Sequence, residues 1–243
     1  MVREGFSFRQ AHIPGGTVGA VCMPSRAMVH TGRNLFSLEE DGERIPENHS
    51  CLGEVLQKEG YRTFGTGKWH NGIESYARSF TDGAEIFFGG MWDHWNVPAN
   101  NFDPTGQYEK AANFISDFYY DNHPVELTCD HTTPGVHSTD LFTDATLVFL
   151  DNYSSDSPWF AYVSYMAPHD PRSMPKEFLD LYSPSDIELP PNFSPEHAFE
   201  FGIRSLRDEV LEEYPRTMEK IKTHIAEYYA MISHLDSGIG KII

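Results

Sequence analysis

One stretch constrains the fold more than any other: "WFAYVSYM", Trp159 to Met166, where only Ser164 interrupts eight apolar or aromatic positions. A run of that length without period-2 alternation is expected of a parallel strand covered on both faces. "STDLFTDATLVFLDNY" lies just ahead of it and reads as a helix capped by Ser138 or Thr139. Upstream, "SCLGEVLQKEG" reads as a helix from Leu52 to Gly60, and "YRTFGT" follows as a strand. Strands alternating with helices point to an α/β architecture with a largely parallel central sheet. Gly67 to Gln107 reads as a loop and the proline-rich piece Ser183 to Pro195 as a surface excursion. Met218, Ile221, Ile225, Tyr228, Ile232, Leu235, Ile239 and Ile242 form one apolar stripe of a long final helix. That stripe still runs when the chain stops at Ile243, so 1–243 is expected to be a single domain belonging to a longer protein.

Charge excludes some functions. A formal net charge of −18 speaks against nucleic acid and against a membrane surface as partners. No run of about 18 apolar residues could span a bilayer. Cys22, Cys51 and Cys129 fit no zinc-ligand spacing.

The placement of the acids is more informative than their number. Gly5 to Leu38 contains neither Asp nor Glu, and the next two longest acid-free runs are Gly60 to Ile73 and Ser157 to His169. Each carries cations near an expected strand end or helix start: Arg26 and Arg33, then Arg62, Lys68 and His70, then His169. Burial alone explains an absence of acids but not the accompanying cations. The pattern is that of three segments meeting around an anion, where a carboxylate would repel the ligand. Ligands of parallel sheets collect beyond the carboxyl ends of the strands, which is where Lys68, His70 and His169 fall. Pro24 suits the first position of a short helix ending at Gly32, whose N-terminal N–H groups favour an oxyanion.

"CMPSRAMVHTGR" resembles the sulfatase signature Cys-x-Pro-Ser-Arg followed by Thr-Gly-Arg, and "GYRTFGTGKWH" resembles the second signature of that family. "FAYVSYMAPHDP" and "YYAMISHLDSGIGKII" resemble its Pro-His strand end and the helix after it, so four segments in order cover nearly the whole chain. The resemblance implies an alkaline-phosphatase-like fold, a central mostly parallel sheet flanked by helices, incomplete here at both ends. It implies a sulfuric ester hydrolase whose Cys22 is oxidised to formylglycine by a formylglycine-generating enzyme. The hydrated aldehyde attacks sulfur, expels the alcohol and then collapses to release sulfate.

By the same resemblance Arg26 and His70 orient the hydrate, Lys68 bridges a sulfate oxygen and the nucleophile, and His169 contacts the ester and assists the leaving oxygen. The family binds a divalent cation, usually calcium, through hard oxygen ligands; of that ligand set only Cys22, as formylglycine, matches a position in this chain. The implied partners are a sulfated small molecule or carbohydrate, with a periplasmic or secreted location and a signal peptide upstream of Met1. Two alternatives stay open: a phosphodiesterase or phosphonate monoester hydrolase of the same superfamily, and an inactive fragment that only binds sulfated ligands. Arg33 is read as holding its loop by hydrogen bonds, His30 as packing, and Asp93, His94, Asp130 and His131 as lining the substrate loop or facing solvent.

Overall fold

A computed structural model of the chain describes residues 8–12, 21–38, 42–115, 124–200, 202 and 204–243. The acid-free run from Gly5 therefore lies partly outside the described residues. Two compact units are present, one of Met1–Met166 with Gly238–Ile243 and one of Ala167–Ser237.

In the first unit the elements run α1 (Cys22–Thr31), α2 (Leu52–Lys58), β1 (Arg62–Lys68), α3 (Ile73–Ser79), β2 (Asp82–Phe87), β3 (Pro98–Ala99), β4 (Ala111–Ile115), β5 (Pro124–Thr128), β6 (His131–Thr132), α4 (Ser138–Asn152) and β7 (Trp159–Ser164). β1 is the middle strand of a parallel sheet ordered β2-β1-β7, with Phe64 opposite Asp82 and Ala161. From Thr63 to Lys68 every residue of β1 is buried, as a central parallel strand should be. α4 packs on all three strands; Phe149 stacks on Phe64 with ring centroids 4.4 Å apart, and Phe142 is fully buried. Burial of a phenyl side chain of that kind contributes about 1.5–3 kcal/mol.

Where the pairing reaches Gly67 the register slips: Thr66 faces Ala84 but Gly67 faces Ile86, so Glu85 is left over. This is a bulge, and it requires φ values of +81° at Gly67 and +50° at Glu85. Any Cβ on Gly67 would lie 2.1 Å from the Ser164 carbonyl oxygen. The glycine lets β1 and β7 stay in contact up to the strand ends.

Several details differ from the sequence expectations. α1 starts at Cys22, two residues before Pro24; the proline costs nothing there because the first-turn N–H groups have no intrahelical acceptor. It stops as expected at Gly32, with φ +66° and its N–H bonded to the Met28 carbonyl. α4 is capped by His137, which accepts from the Thr139 N–H, and both Ser138 and Thr139 lie inside the helix. The stretch read as a loop contains α3 and β2; Asp82 and Gly83 weaken the strand signal there, and pairing with β1 overrides it. β7 is only half-buried along most of its length, with Trp159 exposed, and among the described residues it pairs only with β1.

The second unit contains α5 (Lys176–Leu179), the mostly exposed proline-rich excursion anchored by buried Ile187, and the greater part of α6 (Met218–Ile242). α6 buries Ala226, Ala230, Met231 and His234, while Met218, Tyr228 and Ile232 of the expected stripe are exposed. The stripe identified the helix but not its buried face: small residues permit close approach, which periodicity weighted by hydrophobicity does not register.

Candidate active site

The site begins at the start of α1. Cys22 is its first residue and is half-buried; no side chain caps the helix, and its first turn holds no acid. The positive end of the helix dipole favours an anion at that position. Arg26 is one turn further on and shares the face of Cys22.

Arg26 determines where that helix end sits. Its Nη1 donates to the Lys68 carbonyl at 2.7 Å, to Ser164 Oγ at 2.5 Å and to Tyr162 Oη at 3.0 Å. The start of α1 is thus held at the carboxyl ends of β1 and β7. A second attachment is made by Asn71, whose Nδ2 donates to the carbonyls of Met23 at 2.9 Å and Gly42 at 2.5 Å. Trp69 fixes the intervening turn, donating from Nε1 to the Gly72 carbonyl at 2.7 Å and from its backbone N–H to the Phe87 carbonyl at 2.8 Å.

Lys68 is 3% exposed, at the last position of β1. His70 has φ +66°, a conformation L residues avoid and one that clusters at functional sites. Its Nδ1 is buried with no hydrogen-bond partner among the described residues. A Cβ on Gly90 would meet the ring at 2.5 Å, so the loop after β2 can press on the imidazole only as glycine. His70 and Met23 line a recess of about 250 Å³ together with Arg44, Phe88 and Glu74. Two of the three acid-free runs therefore do meet, and the third meets them through Tyr162 and Ser164.

His169 belongs to the second unit and is described there by itself. Its Nδ1 lies 3.0 Å from Asp170 Oδ1, and Arg207 Nη1 donates to Asp170 Oδ2 at 2.6 Å. Burial alone would raise the Asp170 carboxyl, but the hydrogen bonds from His169 and Arg207 outweigh it and hold the group well below the usual carboxylate range.

Other residues singled out in the sequence take structural roles. His30 is buried between Trp69 and Tyr162, with centroids 4.4 and 4.5 Å away. Burial first and Arg26 second lower its pKa to about 4, so it is neutral at pH 7. Arg33 is exposed, and what holds its turn is its backbone N–H on Thr31 Oγ1. His94, expected near the substrate loop or solvent, is fully buried with Nδ1 2.7 Å from Ser138 Oγ. That looks like a nucleophile–base pair, but no substrate reaches a fully buried pair. Asp93 caps a turn by accepting from the Trp95 N–H. His131 bridges Asp130 and Glu85, the bulged residue of β2. Sequence reading missed Tyr162, Ser164 and Asn71. Ser164 alone had a signal, as the polar break in an apolar run.

Cation binding can be tested on these residues. Among the described residues no group of three or more His, Cys, Asp or Glu side chains that includes Cys22 is placed to hold a metal ion. Among the described residues Cys22 has no such ligand set for calcium.

The family model described as Sulfatase matches residues 1–243. The ulvan-active sulfatase of Formosa agariphila is 29% identical over 247 residues, covering 100% of this chain and 40% of the relative. Among solved structures, BT4656 in complex with its substrate D-glucosamine-2-N,6-O-disulfate aligns with a TM-score of 0.55 at 20% identity, over 93% of this chain and 52% of that one. The phosphonate monoester hydrolase SpPMH from Silicibacter pomeroyi aligns with a TM-score of 0.50 at 19% identity, over 91% and 49%. The structural likenesses are those of fold, and the chain spans about half or less of each of these proteins. With the family match running the length of the chain and the signature cysteine, arginine and lysine segments bonded to one another in the structure, this protein belongs to the Sulfatase family.

Proposed function

We propose that the chain carries the nucleophile end of a sulfuric ester hydrolase active site, with Cys22 as the precursor of a formylglycine made by a formylglycine-generating enzyme. The observation that supports this most is the set of bonds made by Arg26. They bring the thiol position, the helix end and Lys68 to one edge of the sheet with no carboxylate among the partners of Arg26. Formylglycine, once formed, supplies a geminal diol as nucleophile in place of a thiol.

The remaining work falls to side chains of this chain. The α1 N–H groups and Arg26 keep the potential positive where sulfate oxygens would bind, and Lys68 adds a donor. His70 Nδ1 is buried with no hydrogen-bond partner among the described residues, which leaves that nitrogen to a bound ligand. Asp170 orients the His169 imidazole, which is proposed to donate a proton to the departing alcohol oxygen.

The alcohol is proposed to be a carbohydrate, in keeping with relatives whose names specify ulvan and a glucosamine disulfate. A periplasmic or secreted location fits a polymeric glycan substrate.

Titration with glucosamine 6-sulfate, glucosamine 6-phosphate and glucosamine tests the reading. The sulfate ester should bind best, glucosamine should not bind, and Lys68→Met should weaken the ester at least tenfold. Equal affinity in the wild type and Lys68→Met would refute it. Preference for the phosphate ester would favour the second reading, a phosphonate or phosphate ester hydrolase, which the fold of SpPMH keeps open.

A further inference from the structure

The second unit carries a groove that the proposed reaction does not use. Its volume is about 780 Å³, and its lining includes His224, Tyr228 and Tyr229 of α6 with Arg172, Glu188 and Pro190 from the preceding segments. That volume is within the about 300–1,000 Å³ typical of small-ligand sites.

The aromatic part is prepared for stacking. Tyr228 and Tyr229 are 44% and 45% exposed. Tyr229 is braced edge-on by Tyr182 at 5.7 Å, and Tyr182 Oη is bonded to Ser233 Oγ at 2.7 Å. A ring held in place contributes contact area at little entropic cost.

The polar part selects against charge. Arg172 donates from Nε to Glu227 at 2.8 Å and, among the described residues, uses neither terminal nitrogen, so it offers donors while its charge is cancelled. His224 is 3.1 Å from Glu212; burial and then Arg172 hold its pKa below the ordinary value, so it adds little charge at pH 7. Glu188 is exposed and brings an acceptor carboxylate. A second sulfate would meet net negative charge here, whereas the hydroxyls of a neutral sugar would find donors, an acceptor and an aromatic face.

Arg172 follows His169 by three residues in the same unit. A chain segment of that length reaches at most about 11 Å. The groove therefore begins within the span of a short oligosaccharide from the histidine assigned to the leaving oxygen.

We propose that this groove binds an unsulfated sugar residue of the glycan whose sulfate ester reaches His169, so that the substrate is an oligomeric or polymeric saccharide with neutral rings flanking the sulfated one. The link to catalysis rests on the function proposed above; binding at the groove does not.

The test is titration of the 243-residue protein with two unsulfated hexasaccharides, neoagarohexaose and N-acetylchitohexaose, and separately with inorganic sulfate. At least one hexasaccharide should bind. Tyr228→Ala should weaken it tenfold or more, Tyr228→Phe should leave it unchanged, and Glu188→Gln should weaken it several-fold. Sulfate affinity should be the same in all three variants. Failure of both hexasaccharides to bind, undiminished binding by Tyr228→Ala, or tighter binding through Tyr228 of a hexasaccharide sulfated on every ring would overturn the proposal. Loss of sulfate binding with hexasaccharide binding intact would count against the proposed function and leave the groove standing.

Discussion

Arg26 of the first unit and the cations of the second are held in opposite ways, although Arg62 and Arg78 of the first unit also pair with carboxylates. In the second unit Arg172, Lys176, Arg204, Arg207, Arg216 and Lys220 each meet a carboxylate. In the first, the partners of Arg26 are a carbonyl and two hydroxyls. Both arrangements satisfy the donors, but only that of Arg26 keeps the positive charge uncancelled. In a protein of net charge −18 that difference has to be built by excluding acids from the neighbourhood. The acid-free runs through Arg26, Lys68 and Ser164 are where the exclusion is visible. The second unit uses charge to hold segments together; Arg26 in the first keeps its charge available for a ligand.

The largest effect is expected from Arg26→Leu, which removes the link between α1 and both strand ends and leaves partly buried acceptors without a donor. Hydrogen bonds to a charged group contribute about 1.5–3 kcal/mol each, and their sum is not additive, so a loss of about 4 kcal/mol is expected in denaturant unfolding.

His30 comes next and is read by pH. Its folded pKa of about 4 is below the unfolded value of 6.5, so between those values the unfolded chain binds more protons and stability falls as pH falls. The expected loss from pH 7 to pH 4 is about 3 kcal/mol. His30→Phe should remove that part of the pH dependence while keeping the aromatic packing on Trp69.

Asp170→Asn probes the contrasting unit. The Asp170 carboxyl is depressed, so its contribution is present above the unfolded value near 3.8 and is lost as pH falls below it. At pH 7 the variant should be about 2 kcal/mol less stable and should lose less on acidification.

Ser164→Asp would convert one arrangement into the other by giving Arg26 a carboxylate partner. Folding should survive, since the new acid is paired, while affinity for inorganic sulfate should fall about tenfold, or about 1.4 kcal/mol. Unchanged sulfate affinity would remove the distinction between Arg26 and the ion-paired cations of the second unit. The smallest effect is expected from Lys176→Ala. Its pair with Asp180 is largely exposed, with side chains 81% and 58% accessible, and Tm should move by less than about 2 °C.

The parallel sheet and the site were legible for different reasons. β7 announced itself by its apolar run and α4 by its helical pattern, though its cap is His137 and not Ser138 or Thr139, and Cys22, Arg26, Lys68 and His70 were singled out by resemblance to the family signatures. What escaped was set by pairing between distant segments. β2 is a strand because β1 recruits it, despite Asp82 and Gly83. α6 buries Ala226, Ala230, Met231 and His234 because of what packs there, not because of its apolar stripe. The hydroxyls that receive Arg26 could not be foreseen from α1, since Tyr162 and Ser164 lie 136 and 138 residues away.

The most direct measurement is the mass of the peptide carrying Cys22 after production alongside a formylglycine-generating enzyme. If Cys22 is the precursor of the nucleophile, that peptide should be lighter by about 18 Da, the difference between a CH₂SH group and an aldehyde, and Arg26→Leu protein should retain the thiol mass in a larger fraction. A peptide that keeps the full thiol mass under those conditions would contradict the account.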